Sequence, residues 1–328
     1  MKVERQSSYH PIISSIFMEE LIQLKNILDD RFSLAEIKDL CFDLEVDYDD
    51  LGSGGLSEHI VELIQYLENR GQTHKLIELI AKYRPDIDLS FWSGGALDLK
   101  AKQRPAGPGN SISNGRGGAA TFGCLVTHRQ NPNDLYILCD GSGLNVNGLN
   151  DSDVILQPGV SDGGHLQRDV IAFLSDWTQP SPDPAAAQFN LSAAIASVSD
   201  PKEVSPQLPD GNFFKDDTFA ELGSSIRGFS RENGLVNGKV LAVDSSVTVP
   251  WVNEEGEQFP VTFSGLIETT AIMVSGDSGM IIFDNQYRPI GLGFAGNDSV
   301  SLFFPLERVL DYFDVDIVTE SFWLHHQT

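Results

Sequence analysis

The chain has 328 residues, enough for two or three domains, or for a small module joined to a large one. Apolar side chains make up 41% of it, which excludes global disorder, and 22 basic against 47 acidic residues leave a net charge of −25. That field repels phosphate backbones and argues against nucleic-acid binding.

The three cysteines, Cys41, Cys124 and Cys139, do not make a secreted-type disulfide framework. Cys124 and Cys139 could face each other across a hairpin centred near Asn131-Pro132, which leaves one bridge open. Polar residues follow Met1-Lys2-Val3-Glu4-Arg5 instead of the apolar core of a signal peptide, and no apolar run is long enough to span a bilayer. A cytoplasmic protein without membrane contact is expected.

Residues 14–85 have helical periodicity. Phe17, Leu21, Leu24 and Leu28 fall on one face of a first helix. Ser33-Leu34-Ala35-Glu36 reads as a capping box opening a second helix, whose stripe is Ile37, Leu40, Cys41 and Leu44. Cys41 is thereby a buried small hydrophobe and not a reactive thiol. An acidic, then glycine-rich loop over residues 47–55 lacks the ligand spacing of a calcium loop. A third helix starts at Ser57, buries Ile60, Leu63, Ile64 and Leu67, and stops at Gly71. A fourth, capped by Thr73, buries Leu76, Leu79, Ile80 and Tyr83 before Pro85 ends it. His59 and His74 lie on these helices without metal-ligand partners, which points to surface or packing roles.

The segment Arg31-Phe32-Ser33-Leu34-Ala35-Glu36-Ile37-Lys38-Asp39-Leu40-Cys41-Phe42-Asp43-Leu44, the loop Asp47-Tyr48-Asp49-Asp50-Leu51 and Tyr66-Leu67-Glu68-Asn69-Arg70-Gly71 together resemble the bacterial effector-associated domains, in particular the seventh family. The resemblance implies a death-like helical fold that docks onto a matching domain of a partner, such as a signalling NTPase, a caspase-like protease or another protease.

Residues 86–110 lose the helical period and collect Gly, Ser and Pro, as a linker or as a strap along the next domain. Lys100, Lys102 and Arg104 make it a candidate for trypsin-like cleavage. Past Gly117 the chain turns to short apolar runs separated by turn residues, the pattern of an all-β barrel or sandwich. Residues 121–126 and 135–138 flank a hairpin turn, and further runs follow at 170–174, 193–198, 240–243, 247–252, 259–263, 266–274, 280–283 and 290–295. Residues 305–313 read as a closing helix. Between two of the apolar runs stands Gly276-Asp277-Ser278-Gly279. It is either a plain glycine turn or a nucleophilic serine whose loop supplies oxyanion-binding N–H groups.

The hairpin, the segment Gly228-Phe229-Ser230-Arg231-Glu232-Asn233-Gly234-Leu235-Val236-Asn237-Gly238-Lys239-Val240, the Gly-Asp-Ser-Gly turn, the strand Gly291-Leu292-Gly293-Phe294-Ala295-Gly296 and the final helix occur in the order of the bacterial trypsin-like serine peptidases, which the chain resembles from about Arg104 to Val318. The resemblance implies two packed antiparallel β-barrels with a site between them, Ser278 at the nucleophile position and Gly276 and Ser278 as the oxyanion hole. The family strand ending Leu-Ser-Asn-Asn-His-Val corresponds to Leu138-Cys139-Asp140-Gly141-Ser142-Gly143, so Ser142 stands at the histidine position. The family strand Val-Asp-Ala-Ala-Ile-Ala corresponds to Leu191-Ser192-Ala193-Ala194-Ile195-Ala196, so Ser192 stands at the aspartate position. A hydroxyl is neither a base near neutral pH nor an anion that stabilises imidazolium. Among other histidines, His165 is the better substitute base, because His128 falls at the hairpin turn and His325 and His326 fall in the tail. Asp140 is expected to keep ordinary acidity and so to be a weak base.

The expected architecture is a multidomain α plus all-β chain: a tail (1–13), a death-like bundle (14–88), a linker (89–106), a trypsin-like double β-barrel with a C-terminal helix (107–318) and a second tail (319–328). The expected function is that of an inactive pseudoprotease, recruited through its helical domain as an interaction component or protease target in bacterial defence signalling. A peptide in the cleft is compatible with this, and no cofactor or metal is called for. The rival is an active serine endopeptidase using Ser278 with an unusual base.

Overall fold

The structure, a computed structural model, describes residues 12–44, 46–51, 54–68, 73–89, 98–144, 153–252 and 256–326. The chain divides into two compact units, Met1–Leu97 and Asp98–Thr328.

Among its described residues the first unit holds four α-helices, α1 (Ile12–Arg31), α2 (Leu34–Asp43), α3 (Leu56–Glu68) and α4 (Thr73–Tyr83). The capping box forms as expected: the Ser33 side chain accepts from Glu36 N, and Ser33 N donates to Glu36 Oε2 at 2.8 Å. The apolar stripes converge on one core that includes Leu24, Leu28, Ile37, Leu40, Ile60, Leu63 and Ile80. Cys41 belongs to this core, and burial pushes its thiol up to about 11. His59 has a packing role, stacked on Tyr48 with ring centroids 4.6 Å apart. Tyr83 departs from the expected stripe: it lies at the end of α4, 40% exposed, with its hydroxyl donated to Asp43. The proposed stop at Gly71 lies outside the described residues.

The second unit contains β1 (Ser111–Asn114), β2 (Ala120–Thr121), β3 (Cys124–His128), β4 (Asn131–Cys139), β5 (Val154–Leu156), β6 (Val170–Trp177) and β7 (Ala194–Val198). It continues with β8 (Ser225–Ser230), β9 (Gly234–Val252), β10 (Gln258–Thr270), β11 (Ile281–Phe283), β12 (Pro289–Gly296) and β13 (Val300–Pro305), and ends with α5 (Leu306–Phe313), β14 (Val315–Ile317) and α6 (Glu320–His326). One antiparallel sheet runs β14-β3-β4-β7-β6-β5-β1-β2, and the other closes into a barrel, β10-β13-β12-β11-β8-β9. Each has an apolar interior, the first around Phe122, Leu125, Ile137 and Ile171, the second around Ile226, Ile267, Ile282 and Phe303.

Several local expectations shift. The first hairpin turns at Arg129-Gln130, two residues before Asn131-Pro132, and Cys124 pairs with Leu138. The cysteines are free and buried. Two pairs of apolar runs fuse into single long strands, β9 and β10, which form a ribbon with a register shift near Gly265 (φ 69°). Residues 98–106 form a strap: Ala106 N donates to Glu203 O and Ser205 N to Ala106 O, both at 2.7 Å. The expected C-terminal tail carries α6, whose Phe322 and Trp323 pack against the first sheet's core. Among the described residues, no helix is long and apolar enough to cross a membrane.

Candidate active site

The Gly-Asp-Ser-Gly turn precedes β11 and is held from both sheets. Thr121 of β2 donates its N–H to Ser278 O at 2.8 Å and its hydroxyl to Gly276 O at 2.9 Å. Gly279 N donates to Gly293 O of β12 at 2.8 Å. Two glycines are required here for backbone reasons, since Gly276 and Gly279 have φ of 94° and 97°. A Cβ at Gly279 would also run into Thr121 O and Cys139 Sγ. The fully buried Asp277 pins the turn from within, accepting from Val274 N and Arg231 N at 2.9 Å and from Ser230 Oγ at 2.8 Å. Burial pushes its carboxyl up, against the pull of those three donors.

Arg231 adds a second tie. Its guanidinium packs over Gly276, donates to Ser275 O at 3.3 Å and pairs with Asp162, which also accepts from the Ser111 hydroxyl. Both ion-pair partners are largely buried, with side-chain exposures of 10% and 12%. Among the described residues, Gly276 N and Ser278 N donate to nothing. They remain available to a developing oxyanion.

The structure gathers Ser278, Ser142 and Ser192, the three positions singled out as a degenerate triad, around a fourth residue, Asp140. Asp140 follows the last residue of β4, and its Oδ2 accepts from Ser278 Oγ at 2.7 Å, from Gly143 N at 2.6 Å and from the Ser142 hydroxyl. Ser142 N donates to Ser192 Oγ at 2.9 Å. Ser278 Oγ also lies 3.2 Å from Phe294 O, an alternative acceptor for its single proton. Asp140 Oδ1 is buried and has no hydrogen-bond partner among the described residues.

The expectation of ordinary acidity at Asp140 is overturned. Burial pushes this carboxyl up, while the hydroxyls of Ser142, Ser192 and Ser278 and the Gly143 N–H pull it back down. Asp140, Arg231 and Asp162 are the functional residues that sequence reasoning underrated or passed over. For Asp140 a signal existed: an aspartate opening Asp-Gly-Ser-Gly can turn back onto the N–H three residues on, as it does onto Gly143.

His165 is not brought to the site. It is an exposed loop residue whose backbone N–H donates to Asp169 Oδ2 at 2.8 Å. His128 lies at the end of β3, edge-on to Tyr136 at 4.8 Å. A cavity of about 730 Å³ lined by residues including Asp216, Asp316, Phe322 and His325 contains none of the site residues.

Residues 21–85 match the family model described as Effector-associated domain 7. No curated protein matches the chain. Among solved structures, Protease A of Thermobifida fusca is 18% identical, covering 65% of this chain and 98% of its own, with a TM-score of 0.46. A Nocardiopsis protease is 14% identical, with coverages of 64% and 97% and a TM-score of 0.46. The chymotrypsin of Cellulomonas bogoriensis is 18% identical, with coverages of 65% and 98% and a TM-score of 0.45.

Proposed function

We propose that the chain is a pseudoprotease: a serine-protease scaffold without a histidine relay, delivered to its partner by an N-terminal effector-associated domain. The observation that carries this reading is the environment of Ser278 Oγ, whose partners are Asp140 Oδ2 and Phe294 O, with no histidine nitrogen within hydrogen-bond reach among the described residues. Serine at 142 and 192, in place of the motif's histidine and aspartate, accounts for that absence. Histidine normally takes the nucleophile's proton and returns it to the leaving amine, and a serine hydroxyl does neither. With Gly276 N and Ser278 N free among the described residues, the turn still offers donors to a peptide carbonyl, so binding without cleavage fits the geometry best.

The match over residues 21–85 supports recruitment by a partner bearing a similar domain, joined to an NTPase, a caspase-like protease or another protease of a bacterial defence pathway. An interaction role is favoured over that of a cleaved target. In the strap, Lys100, Lys102 and Arg104 pair with Glu232, Asp169 and Glu203, and proline follows Arg104. The rival reading, an active endopeptidase using His165, lacks any contact between His165 and Ser278.

The test is digestion of casein and of a fluorogenic peptide library by the purified full chain and by Ser278→Ala. No cleavage above the Ser278→Ala background is expected. Cleavage that depends on Ser278 and is lost in His165→Ala would overturn the proposal.

A further inference from the structure

We infer that Asp140 has taken the place of the missing base, so that Ser278 and Asp140 form a dyad able to accept acyl groups from activated esters, though not from peptides. The inference rests on the loss of the histidine relay argued above and goes beyond it. Loss of the relay denies the site a protease's rate, but it does not leave the Ser278 hydroxyl without a proton acceptor.

Geometry comes first. Ser278 Oγ is 2.7 Å from Asp140 Oδ2, within the range from which a general base removes a proton. Among the described residues, Gly276 N and Ser278 N are unengaged. Nucleophile, base and oxyanion donors therefore occur within one turn and the strand end facing it. The electrostatics agree. Burial disfavours the carboxylate and makes it a better base than an exposed aspartate, and the unpartnered Oδ1 adds to this. After burial, the contributions that stand out are the Ser142, Ser192 and Ser278 hydroxyls and the Gly143 N–H, and the adjacent Cys139 thiol is itself buried and pushed well up.

The step balances without a cofactor. Ser278 Oγ forms a bond to the ester carbonyl carbon as its proton passes to Asp140 Oδ2, and the carbonyl oxygen takes the negative charge at the Gly276 and Ser278 N–H groups. When the carbonyl re-forms, the bond to the aryloxide breaks and the aryloxide leaves with the electron pair. The proton on Asp140 is released to water. A water molecule then gives a proton to Asp140 and attacks the acyl carbon, and Ser278 leaves, recovering that proton from Asp140. The sum is ester plus water giving acid plus phenol. An aryloxide departs as a stable anion, whereas an amide nitrogen must be protonated as it leaves. A carboxylate is also a weaker base than imidazole, so a peptide's barrier stays high.

The experiment follows para-nitrophenyl acetate with the full chain from mildly acidic to neutral pH, beside Ser278→Ala, Asp140→Asn and Ser142→Ala. Nitrophenolate release should exceed the Ser278→Ala background and fall about 10²-fold in Asp140→Asn, the usual scale of a lost general base. The rate should rise with pH through an inflection above the ordinary aspartate value of 3.8 and then level off. Ser142→Ala removes a donor that favours the anion, so it should move the inflection upward, a readout that a structural role for Ser142 would not give. If Asp140→Asn fails to fold, the Ser142→Ala inflection decides. Release unaffected by Ser278→Ala overturns the dyad and leaves the pseudoprotease reading standing, as does an inflection that stays put in Ser142→Ala. Peptide cleavage lost in His165→Ala overturns that reading instead.

Discussion

If the lesion is the pair of serines, replacing them should restore a protease. In Ser142→His combined with Ser192→Asp, the new carboxylate starts where Ser192 Oγ already accepts from residue 142's own N–H at 2.9 Å. An aspartate there can accept that N–H and orient the imidazole. In subtilisin, loss of the triad histidine costs about 10⁶ in rate, which sets the ceiling on what can be regained. Asp140 lowers it, because its charge-assisted hydrogen bond to Ser278, of about 1.5–3 kcal/mol, must yield before the serine turns to the imidazole. That withholds roughly 10- to 100-fold, leaving a gain of roughly 10⁴- to 10⁵-fold for the double variant. Asp140→Asn in the same background should return most of the remainder. The assay is cleavage of a fluorogenic peptide library, with Ser278→Ala in each background as the blank and near-ultraviolet circular dichroism to establish the fold. A folded double variant that cleaves no faster than the natural chain, with or without Asp140→Asn, would refute the reasoning and place the defect in the cleft.

Two further predictions concern stability. Asp277→Ala strands Val274 N, Arg231 N and the Ser230 hydroxyl in a buried site and should destabilise the second unit by about 3–5 kcal/mol in urea unfolding, with Asp277→Asn costing less because its amide oxygen keeps part of the set. A change within error of zero for the alanine variant would contradict the pinning role. At Asp169, burial pushes the carboxyl up, but Lys102, the His165 N–H and Arg168 outweigh it and bring it down to about 2. Since its unfolded value is near 3.8, the resulting stabilisation is complete above that pH and disappears as pH falls toward 2. Asp169→Asn should therefore cost about 1–2 kcal/mol near neutrality, after discounting for the half-exposed Lys102. The difference from the natural chain should close on acidification, and a gap of constant size from neutral to acidic pH would rule this out.

Much of the fold was legible because burial leaves a period in the sequence. The helical stripes and the capping box of the first unit needed only local spacing, and they form where that spacing places them. The long ribbon was harder. Asp244-Ser245-Ser246 reads as a turn between two apolar runs, yet these residues lie within β9 on a ribbon open to solvent, where polar side chains do not end a strand. At the site, Ser142 and Ser192 could be found by motif position. Asp140 could not be weighed in that way, because its acidity depends on desolvation and on hydroxyls from segments distant in sequence, Ser278 lying 138 residues away. Arg231 and Asp162 were invisible for the same reason. An ion pair between residues 69 apart leaves no local signature.

The retained turn follows from how its contacts are divided. Among the described residues, no hydrogen bond to Gly276-Asp277-Ser278-Gly279 comes from residue 142 or 192: the ties run to Thr121, Gly293, Arg231, Asp140 and the donors around Asp277. Replacing a catalytic histidine and aspartate by serine therefore leaves the turn's supports untouched. It also exchanges a buried charge for a neutral hydroxyl at position 192, which is fully buried and already satisfied through Ser142 N. The one place where loss of the imidazole would cost the fold is the Ser278 hydroxyl, left half-buried without its partner. Asp140 Oδ2 accepts from that hydroxyl at 2.7 Å, the contact on which the proposed dyad rests. On the pseudoprotease reading proposed above, that contact is also the feature most able to give the site a different chemistry, because a hydrogen-bond acceptor placed to stabilise a half-buried hydroxyl is placed equally well to receive its proton.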